Sequence, residues 1–246
     1  MRLVALTLLL FCLQGAKAEP LTLAVASNFV PTAEVIAADF TAETGTDVRI
    51  STGSTGKLHA QIMHGAPYDI FLAADSNSPK LVEESGLGVT GSRFTYALGL
   101  LVLWSSAASA TECSLTLQDL GDARLAIANP VTAPYGRAAK EFLELTGSWE
   151  RMSAQIVYGE NVAQALHFAV TSNARYAIVA KSQSLDPRLA DASCSRRIPE
   201  ETYSRIEQQA VLLQRAAENP AAQAFMQFLQ SSDARDTMRR MGYGLQ

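Results

Sequence analysis

The chain has 246 residues and carries 20 basic and 24 acidic side chains, so its formal net charge at neutral pH is −4. A nucleic-acid partner would call for a basic patch, and this charge balance argues against one. With 48% hydrophobic residues, the chain can bury one large core or two modest ones.

The N-terminus predicts export. Met1-Arg2 is a short basic start, residues 3–13 form an apolar run too short to span a bilayer as a helix, and residues 16–18 (Ala-Lys-Ala) supply a small-x-small cleavage pattern. We interpret residues 1–18 as a signal peptide and expect a periplasmic protein. No later segment has the roughly 18 consecutive apolar residues that a membrane helix needs.

Strand and helix patterns alternate through the first part of the chain. Residues 21–26 are a continuous apolar run of the buried-strand type, and residues 30–44 carry apolar side chains at i, i+3, i+4 and i+7. A strand over 47–52, a short helix over 57–64 and a strand over 68–73 follow. This alternation predicts a parallel α/β sheet.

The alternation starts again after a long strand-like run at 94–104. Further strands are predicted at 124–128, 155–158, 175–180 and 206–213, and helices at 136–145, 161–170, 219–229 and 233–241. We predict an α/β fold of two lobes, each a mostly parallel sheet flanked by helices, with the long strands near 98 and 206 crossing between them. Lobe 1 would comprise residues 19–98 plus 206–246, and lobe 2 residues 99–205.

Two cysteines remain after removal of the signal, Cys113 and Cys194. Exported compartments are oxidising, so we predict a disulfide between them; two free thiols on separate loops are the alternative. His59 and His64 are five residues apart, which suits neither i,i+3 nor i,i+4 pairing on a helix, and His167 is distant. No metal site with direct protein ligands is therefore predicted.

Four strand-to-helix turns are the most specific clue to function. They lie at residues 26–29, 53–56, 133–136 and 159–162, and they carry hydroxyls, an amide and glycines but no Arg or Lys. The first turn of a helix presents N–H groups without intrahelical partners and a partial positive charge. Ligands of open α/β sheets bind beyond the carboxyl ends of the strands. Because each lobe contributes two turns, we predict a neutral-walled cradle for a small anion in the cleft between the lobes.

Each turn also has an ordinary structural explanation. Ser27 and Asn28, or Ser54 and Thr55, would serve as helix N-caps, and Val162 as a core residue of a first helical turn. The equivalent topological position of all four turns favours the functional interpretation. A remote alternative is an exported serine enzyme, since Ser54-x-x-Lys57 matches a motif of penicillin-recognising enzymes; the partner motifs of that class are absent from the sequence.

Taken in order, these motifs resemble those of the periplasmic molybdate-binding proteins of ABC transporters, within the class of bilobal solute-binding proteins. The segments that carry the resemblance are LAVASNF (23–29), GSTGKLHAQIMHGAPYDIFLAADS (53–76), RLAIANPVTAPYGRAAKEFL (124–143), GENVAQAL (159–166) and YAIVAKSQSL (176–185). No segment is specific alone, but their combination is. The resemblance implies two lobes that close on the ligand like a hinge.

The resemblance also implies the ligand-binding residues, which are Ser27, Asn28, Ser54, Thr55, Tyr135 and Val162. Ser27 would offer its hydroxyl and main-chain N–H, whereas Tyr135 and Val162 would offer only their main-chain N–H groups. These residues would contact the oxygens of the anion, without direct bonds to its metal. Some family members carry a ligand-binding tyrosine where this chain has Ala180, and Asn28 is a candidate replacement for that hydroxyl.

The function implied by the resemblance is capture of molybdate, and of tungstate, for delivery to the membrane permease of an ABC importer. Such a protein would be a monomer without a cofactor and would not be an enzyme. Another anion, such as sulfate or phosphate, or an organic solute is the alternative ligand.

Overall fold

The computed structural model of the protein describes residues 19–106, 116–118 and 120–246. The strands are β1 (Leu21–Ala26), β2 (Val48–Gly53), β3 (Ile70–Leu72), β4 (Phe94–Gly99), β5 (Leu101–Ser105), β6 (Leu125–Ala128), β7 (Ile156–Gly159), β8 (Tyr176–Ala180), β9 (Cys194–Arg197) and β10 (Ile206–Leu212). The α-helices are α1 (Val30–Thr44), α2 (Thr55–Met63), α3 (Asn77–Glu84), α4 (Pro134–Leu145), α5 (Trp149–Met152), α6 (Val162–Val170), α7 (Lys181–Ser184), α8 (Pro220–Phe228) and α9 (Ser232–Arg240). Short 3₁₀ helices occur at Ser153–Gln155, Pro187–Ala192, Glu200–Thr202 and Gln214–Ala216.

The strands form two five-stranded mixed sheets, ordered β2-β1-β3-β10-β4 and β7-β6-β8-β5-β9. In the first sheet, β1 pairs in parallel with β2 and β3, while β10 runs antiparallel to β3 and β4. The second sheet repeats this plan, with β6 parallel to β7 and β8, and β5 antiparallel to β8 and β9. The predicted two-lobe α/β architecture is confirmed. We call the unit built on the first sheet lobe 1 and the other lobe 2; the predicted residue boundaries of the lobes stay a prediction.

The chain crosses between the sheets at Leu100. The run at 94–104 was predicted as one long strand, but it forms β4 in the first sheet and β5 in the second. Strand β10 brings the chain back to lobe 1, and its first residue, Ile206, lies opposite Gly99. The two crossing segments are therefore neighbours and form the connection about which the lobes are joined.

Each lobe has its own apolar core. In lobe 1, the buried face of α1 (Ala33, Ile36, Ala37 and Phe40) is the one that the i, i+3, i+4, i+7 spacing predicts. Phe40 packs edge-on against Phe225 of α8, with ring centroids 5.1 Å apart. In lobe 2, the fully buried Trp104 and Ile127 lie within one cluster with α4 and α6. These two cores hold the carboxyl ends of the parallel strands in place on either side of the cleft.

Several short elements escaped the sequence-based prediction, among them helices α3, α5 and α7 and strand β9. Helix α3 (NSPKLVEE) is short and mostly polar, with few buried residues to set a period. Strand β9 (CSRR) lies at a sheet edge and exposes three of its four residues. The predicted signal peptide, residues 1–18, lies outside the described residues. Within the described part of the chain, no helix is long and apolar enough to cross a membrane.

The structure records Cys194 as disulfide-bonded. Its predicted partner, Cys113, lies outside the described residues, so the pairing stays a prediction. We expect mass analysis of protein purified without reductant and alkylated before reduction to show neither Cys113 nor Cys194 alkylated, because an exported thiol pair is oxidised. Two alkylated thiols in that sample would contradict the pairing.

Candidate functional site

The four predicted turns meet at one narrow cavity between the two lobes. The cavity is lined by Ala26, Ser27, Asn28, Gly53, Ser54, Thr55, Ala74, Ala133, Pro134, Tyr135, Asn161 and Val162. All six residues predicted to bind the ligand are therefore brought together. The space between the walls is about 190 Å³, solvent at the mouth included. None of the described residues that line the cavity carries a charge.

The position of the cavity follows from the topology. Strands β1 and β2 of lobe 1 end at Ala26 and Gly53, and strands β6 and β7 of lobe 2 end at Ala128 and Gly159. Three helices, α2, α4 and α6, begin at the cavity, so their unpaired first-turn N–H groups point toward it. The converging helix termini give the cavity a positive potential without any cationic side chain.

Ser54 and Thr55 bring two buried hydroxyls to the cavity. Ser54 is only 2% exposed, and its Oγ has no hydrogen-bond partner among the described residues. Although Ser54 is the N-cap residue of α2, its side chain makes no capping bond. Leaving a buried hydroxyl without a hydrogen-bond partner costs free energy, so the Ser54 hydroxyl is available to donate to a ligand in the cavity.

The Thr55 hydroxyl is oriented by its neighbour. Its Oγ1 accepts a hydrogen bond from the main-chain N–H of Ala74 at 3.0 Å, and no donated bond from Oγ1 occurs among the described residues. Since a hydroxyl has one donor and two acceptor sites, this contact leaves the proton of Thr55 for an acceptor in the cavity.

The contributions of Ser27 and Asn28 differ from those expected. The main-chain N–H of Ser27 donates to the carbonyl of Gly53 at 3.0 Å, because this bond continues the β1–β2 ladder, so that N–H is not free for a ligand. Asn28 Nδ2 donates to Gln208 Oε1 at 2.8 Å and lies 3.3 Å from the Tyr243 hydroxyl. The amide donors of Asn28 thus serve the protein interior, while its main-chain N–H has no partner among the described residues.

Tyr135 and Val162 offer main-chain N–H groups from lobe 2. Neither N–H has a partner within the described residues, and the side chain of the α6 N-cap, Asn161, accepts from Gln164 at 3.1 Å rather than from Val162. The phenol of Tyr135 also has a role, because its hydroxyl accepts from Gln208 Nε2 at 3.2 Å. Burial raises the pKa of Tyr135 well above its ordinary value, so the phenol stays neutral.

Sequence-based reasoning missed a polar cluster behind the cavity, formed by Gln208, Tyr96 and Tyr243. Gln208 is fully buried, and its Oε1 also lies 3.2 Å from the Tyr96 hydroxyl. The Tyr243 hydroxyl donates to the main-chain carbonyl of Asn28 at 2.7 Å. One signal was available in the sequence: Gln208 and Gln209 interrupt the apolar run of β10.

Three contacts hold the lobes together at the rim of the cavity. The main-chain N–H of Gly56 donates to the carbonyl of Thr132 at 2.9 Å. Lys57 pairs with Glu160 at 2.6 Å, and Arg137 pairs with Asp75 at 2.7 Å. Both ion pairs join one lobe to the other, so the structure shows the lobes closed against each other.

The contacts of Lys57 bear on the enzyme alternative. Its ammonium group is paired with Glu160 and half exposed at the rim.

In the part of the chain that the structure describes, no group of three or more His, Cys, Asp or Glu side chains could hold a metal ion.

Comparison with known proteins places the chain in a class of binding proteins. The profile of the family described as bacterial extracellular solute-binding protein matches residues 21–244, and the chain belongs to this family. It is 40% identical to a molybdate-binding protein ModA from Azotobacter vinelandii over 94% of this chain and 92% of that protein. A ModA from Rhodobacter capsulatus is 38% identical over 97% of this chain and 94% of that relative.

The structural comparison agrees with the sequence comparison. The solved periplasmic molybdate-binding protein of Azotobacter vinelandii superposes with a TM-score of 0.86 at 35% identity, covering 92% of this chain and 99% of that chain. The predicted resemblance is confirmed. The relatives are solute-binding proteins rather than enzymes, so the protein is a solute-binding protein and not a serine enzyme.

Gly56→Ala separates closure of the cleft from stability of the lobe. A Cβ at this position would lie 2.9 Å from the Thr132 carbonyl oxygen of the other lobe. Because Gly56 lies in the first turn of α2, alanine is favoured there by at most about 0.5–1 kcal/mol. We expect unchanged or higher thermal stability without ligand and a loss of ligand affinity of about tenfold or more. Gln61→Ala, an exposed change on the same helix, is the control; wild-type affinity in Gly56→Ala would contradict the closed arrangement.

The buried tyrosines predict a fall in stability at alkaline pH. Burial raises the pKa of Tyr243 to about 12, and those of Tyr96 and Tyr135 also rise well above the ordinary value of 10. The tyrosines of the unfolded chain therefore lose their protons at lower pH than those of the folded protein. The stabilisation that results from the raised pKa is fully present below pH 10 and is lost as pH rises through the folded pKa. For Tyr243 this lowers the free energy of unfolding by at most about 1.4 kcal/mol per pH unit between 10 and 12, and Tyr96 and Tyr135 act in the same direction.

Urea unfolding of wild type and Tyr243→Phe at pH 9 to 11 measures this slope. The variant should lose less stability per pH unit than wild type. Tyr158→Phe, at a site that is 46% exposed, is the control. Equal slopes for wild type and Tyr243→Phe would contradict the prediction.

Proposed function

We propose that the protein captures molybdate in the periplasm and delivers it to the membrane permease of an ABC importer. The observation that carries the proposal is the convergence of uncharged hydrogen-bond donors from both lobes on one small cavity. Relatives that are 40% and 38% identical over nearly the whole chain are named molybdate-binding proteins, which supports the same ligand here.

The chemistry of the donors fits a tetrahedral dianion. The main-chain N–H groups of Asn28, Tyr135 and Val162 and the hydroxyls of Ser54 and Thr55 would each donate to an anion oxygen. Hydrogen bonds to a charged acceptor are about twice as strong as neutral ones. The Ser27 hydroxyl would complete the set, while its main-chain N–H is already committed to Gly53. These roles assign no donated bond to the amide of Asn28, so it would not replace the tyrosine hydroxyl absent at Ala180.

The form of the cavity favours one ligand class over the alternatives. An organic solute of ordinary size needs a pocket of roughly 300–1,000 Å³, whereas the space in this cavity that a water-sized sphere can reach is only about 10 Å³. Fixed N–H and hydroxyl donors suit a fully ionised oxyanion, whereas a protonated phosphate would also need an acceptor. Cavity size would then separate molybdate and tungstate from the smaller sulfate. The molybdate is cargo rather than a cofactor.

Three further features belong to the proposal. The N-terminal segment 1–18 would direct export and then be removed. Tungstate, which has the same shape and charge as molybdate, would bind at the same site. The protein would work as a monomer, because the cavity is complete within one chain.

Thermal denaturation with a panel of oxyanions tests the ligand. A ligand that binds only the native state stabilises it by about 2.7 kcal/mol at one hundred times its dissociation constant. We expect molybdate and tungstate to raise the melting temperature by several degrees, while equal concentrations of sulfate and phosphate have little effect. A sulfate shift equal to that of molybdate would contradict molybdate as the ligand and leave the anion cradle standing.

Ser54→Ala tests whether the orphaned hydroxyl binds the anion. Loss of a hydrogen bond to a charged group costs about 1.5–3 kcal/mol, so molybdate should bind roughly ten- to a hundredfold more weakly by calorimetry. Stability without ligand should hardly change, because the Ser54 hydroxyl has no partner to lose.

The matched control is Ser51→Ala on strand β2, whose hydroxyl lies 3.1 Å from the Tyr68 hydroxyl. It should leave affinity unchanged. If Ser54→Ala lowered the ligand-free stability by about 1 kcal/mol at wild-type affinity, the hydroxyl would act only as a helix cap.

A further inference from the structure

Gln208 connects the two lobes behind the cavity without lining it. Its side chain is fully buried on β10 of lobe 1. The carbonyl oxygen Oε1 accepts from Asn28 Nδ2 at 2.8 Å, and the amide nitrogen Nε2 donates to the Tyr135 hydroxyl at 3.2 Å. Asn28 belongs to lobe 1 and Tyr135 to lobe 2, so one amide group bridges the lobes.

Both partners of Gln208 belong to the cavity wall. Asn28 and Tyr135 each hold a main-chain N–H with no partner among the described residues, and each comes from a different lobe. The hydrogen bonds of Gln208 fix the side chains of these two residues. Because a side chain and its own N–H share one Cα, fixing the side chains restricts where the two N–H groups point.

The pairing of β10 with β4 is irregular at Gln208. The β10–β4 register shifts between Gln208, which lies opposite Ala97, and Gln209, which lies opposite Thr95. The extra residue on β4 is Tyr96, whose hydroxyl also reaches Gln208. Bulges of this kind redirect side chains and are common beside functional sites.

The space around Tyr135 favours the same role. A Cβ built on Gly99 would collide with the Tyr135 hydroxyl and with the side chain of Ile206. Gly99 and Ile206 face each other at the two chain crossings. The phenol of Tyr135 thus occupies the connection between the lobes, while its main-chain N–H lies at the cavity.

We propose that Gln208 is a positioning residue that couples closure of the lobes to the alignment of the anion-binding N–H groups of Asn28 and Tyr135. The inference rests on the proposed function, since it assumes that those N–H groups bind an oxyanion. A buried amide is costly unless its hydrogen bonds are made, and an apolar side chain would fill the same space more cheaply. In return, the hydrogen bonds of Gln208 hold Asn28 and Tyr135 in a fixed arrangement across the cleft.

Gln208→Met tests the coupling, because methionine keeps the length of the side chain and removes its hydrogen bonds. We expect molybdate to bind about tenfold more weakly, with most of the change in the dissociation rate measured by stopped flow. The matched control is Gln209→Met. Gln209 is 9% exposed on the same strand, but it bonds to Arg93 and Thr95 instead of the site. This control should keep molybdate affinity within about twofold of wild type.

Tyr135→Phe provides a second test that does not depend on folding of the Gln208 variant. It removes only the lobe 2 partner of Gln208 and should weaken molybdate binding several-fold. In Gln208→Met, the further change Tyr135→Phe should have little additional effect, because the two residues act through one bond. If Gln208 had a purely structural role, the substitutions would lower thermal stability, but their effects on molybdate affinity would not be coupled.

Two results separate this inference from the proposed function. If wild type binds no molybdate, the proposed function fails. The affinities of wild type and the variants are then compared for the oxyanion of the panel that does bind. If wild type binds and both Gln208→Met and Tyr135→Phe keep its affinity, the inference is wrong and the proposed function stands.

Discussion

The proposed ligand, a divalent oxyanion bound without a cationic side chain, would constrain this structure more than any other single requirement. Each hydrogen bond to the ion must come from a neutral donor whose direction is fixed before the ion arrives. Main-chain N–H groups at helix N-termini meet this condition, because the helix holds them and adds its dipole. The unpaired N–H groups of one helix approach an ion from one side only, so several helices must end at the same point to surround it.

The paired α/β lobes satisfy that requirement through topology. In each lobe the parallel strands end at one edge of the sheet, and the polypeptide enters a helix there. Facing the two edges across a cleft brings α2, α4 and α6 together around one cavity. The two cations of the cross-lobe ion pairs are each neutralised, since Lys57 pairs with Glu160 and Arg137 with Asp75. The rim charges thus hold the lobes together at modest energy, as exposed pairs contribute about 0–1 kcal/mol.

Much of this arrangement could be predicted from local sequence. Apolar periodicity placed α1 with its observed bounds, and the strand-to-helix turns identified the residues that line the cavity. Such patterns are local, and they report which face of a segment is buried. Helix α3 and strand β9 lack that signal because they are short and mostly polar. The division of the run at 94–104 also carries no local mark, since apolar residues continue through Leu100 into a different sheet.

Hydrogen bonding between distant residues could not be predicted in this way. The main-chain N–H of Ser27 is used by Gly53, a fact that depends on the register of two strands. The amide of Asn28 turns inward because Gln208 lies behind it, 180 positions away in sequence. The phenol of Tyr135, assigned no role from sequence, bonds to the same glutamine. Tertiary contacts decide which of a residue's donors are left for a ligand.

The most direct test is a crystal structure of the protein grown with molybdate, with the metal located by its anomalous scattering. The neutral cradle predicts a single strong peak between the lobes. Anion oxygens should lie within about 3.2 Å of the main-chain nitrogens of Asn28, Tyr135 and Val162 and of the hydroxyls of Ser54 and Thr55. A peak elsewhere, or an anion bonded directly to Lys57 or Arg137, would contradict the neutral cradle.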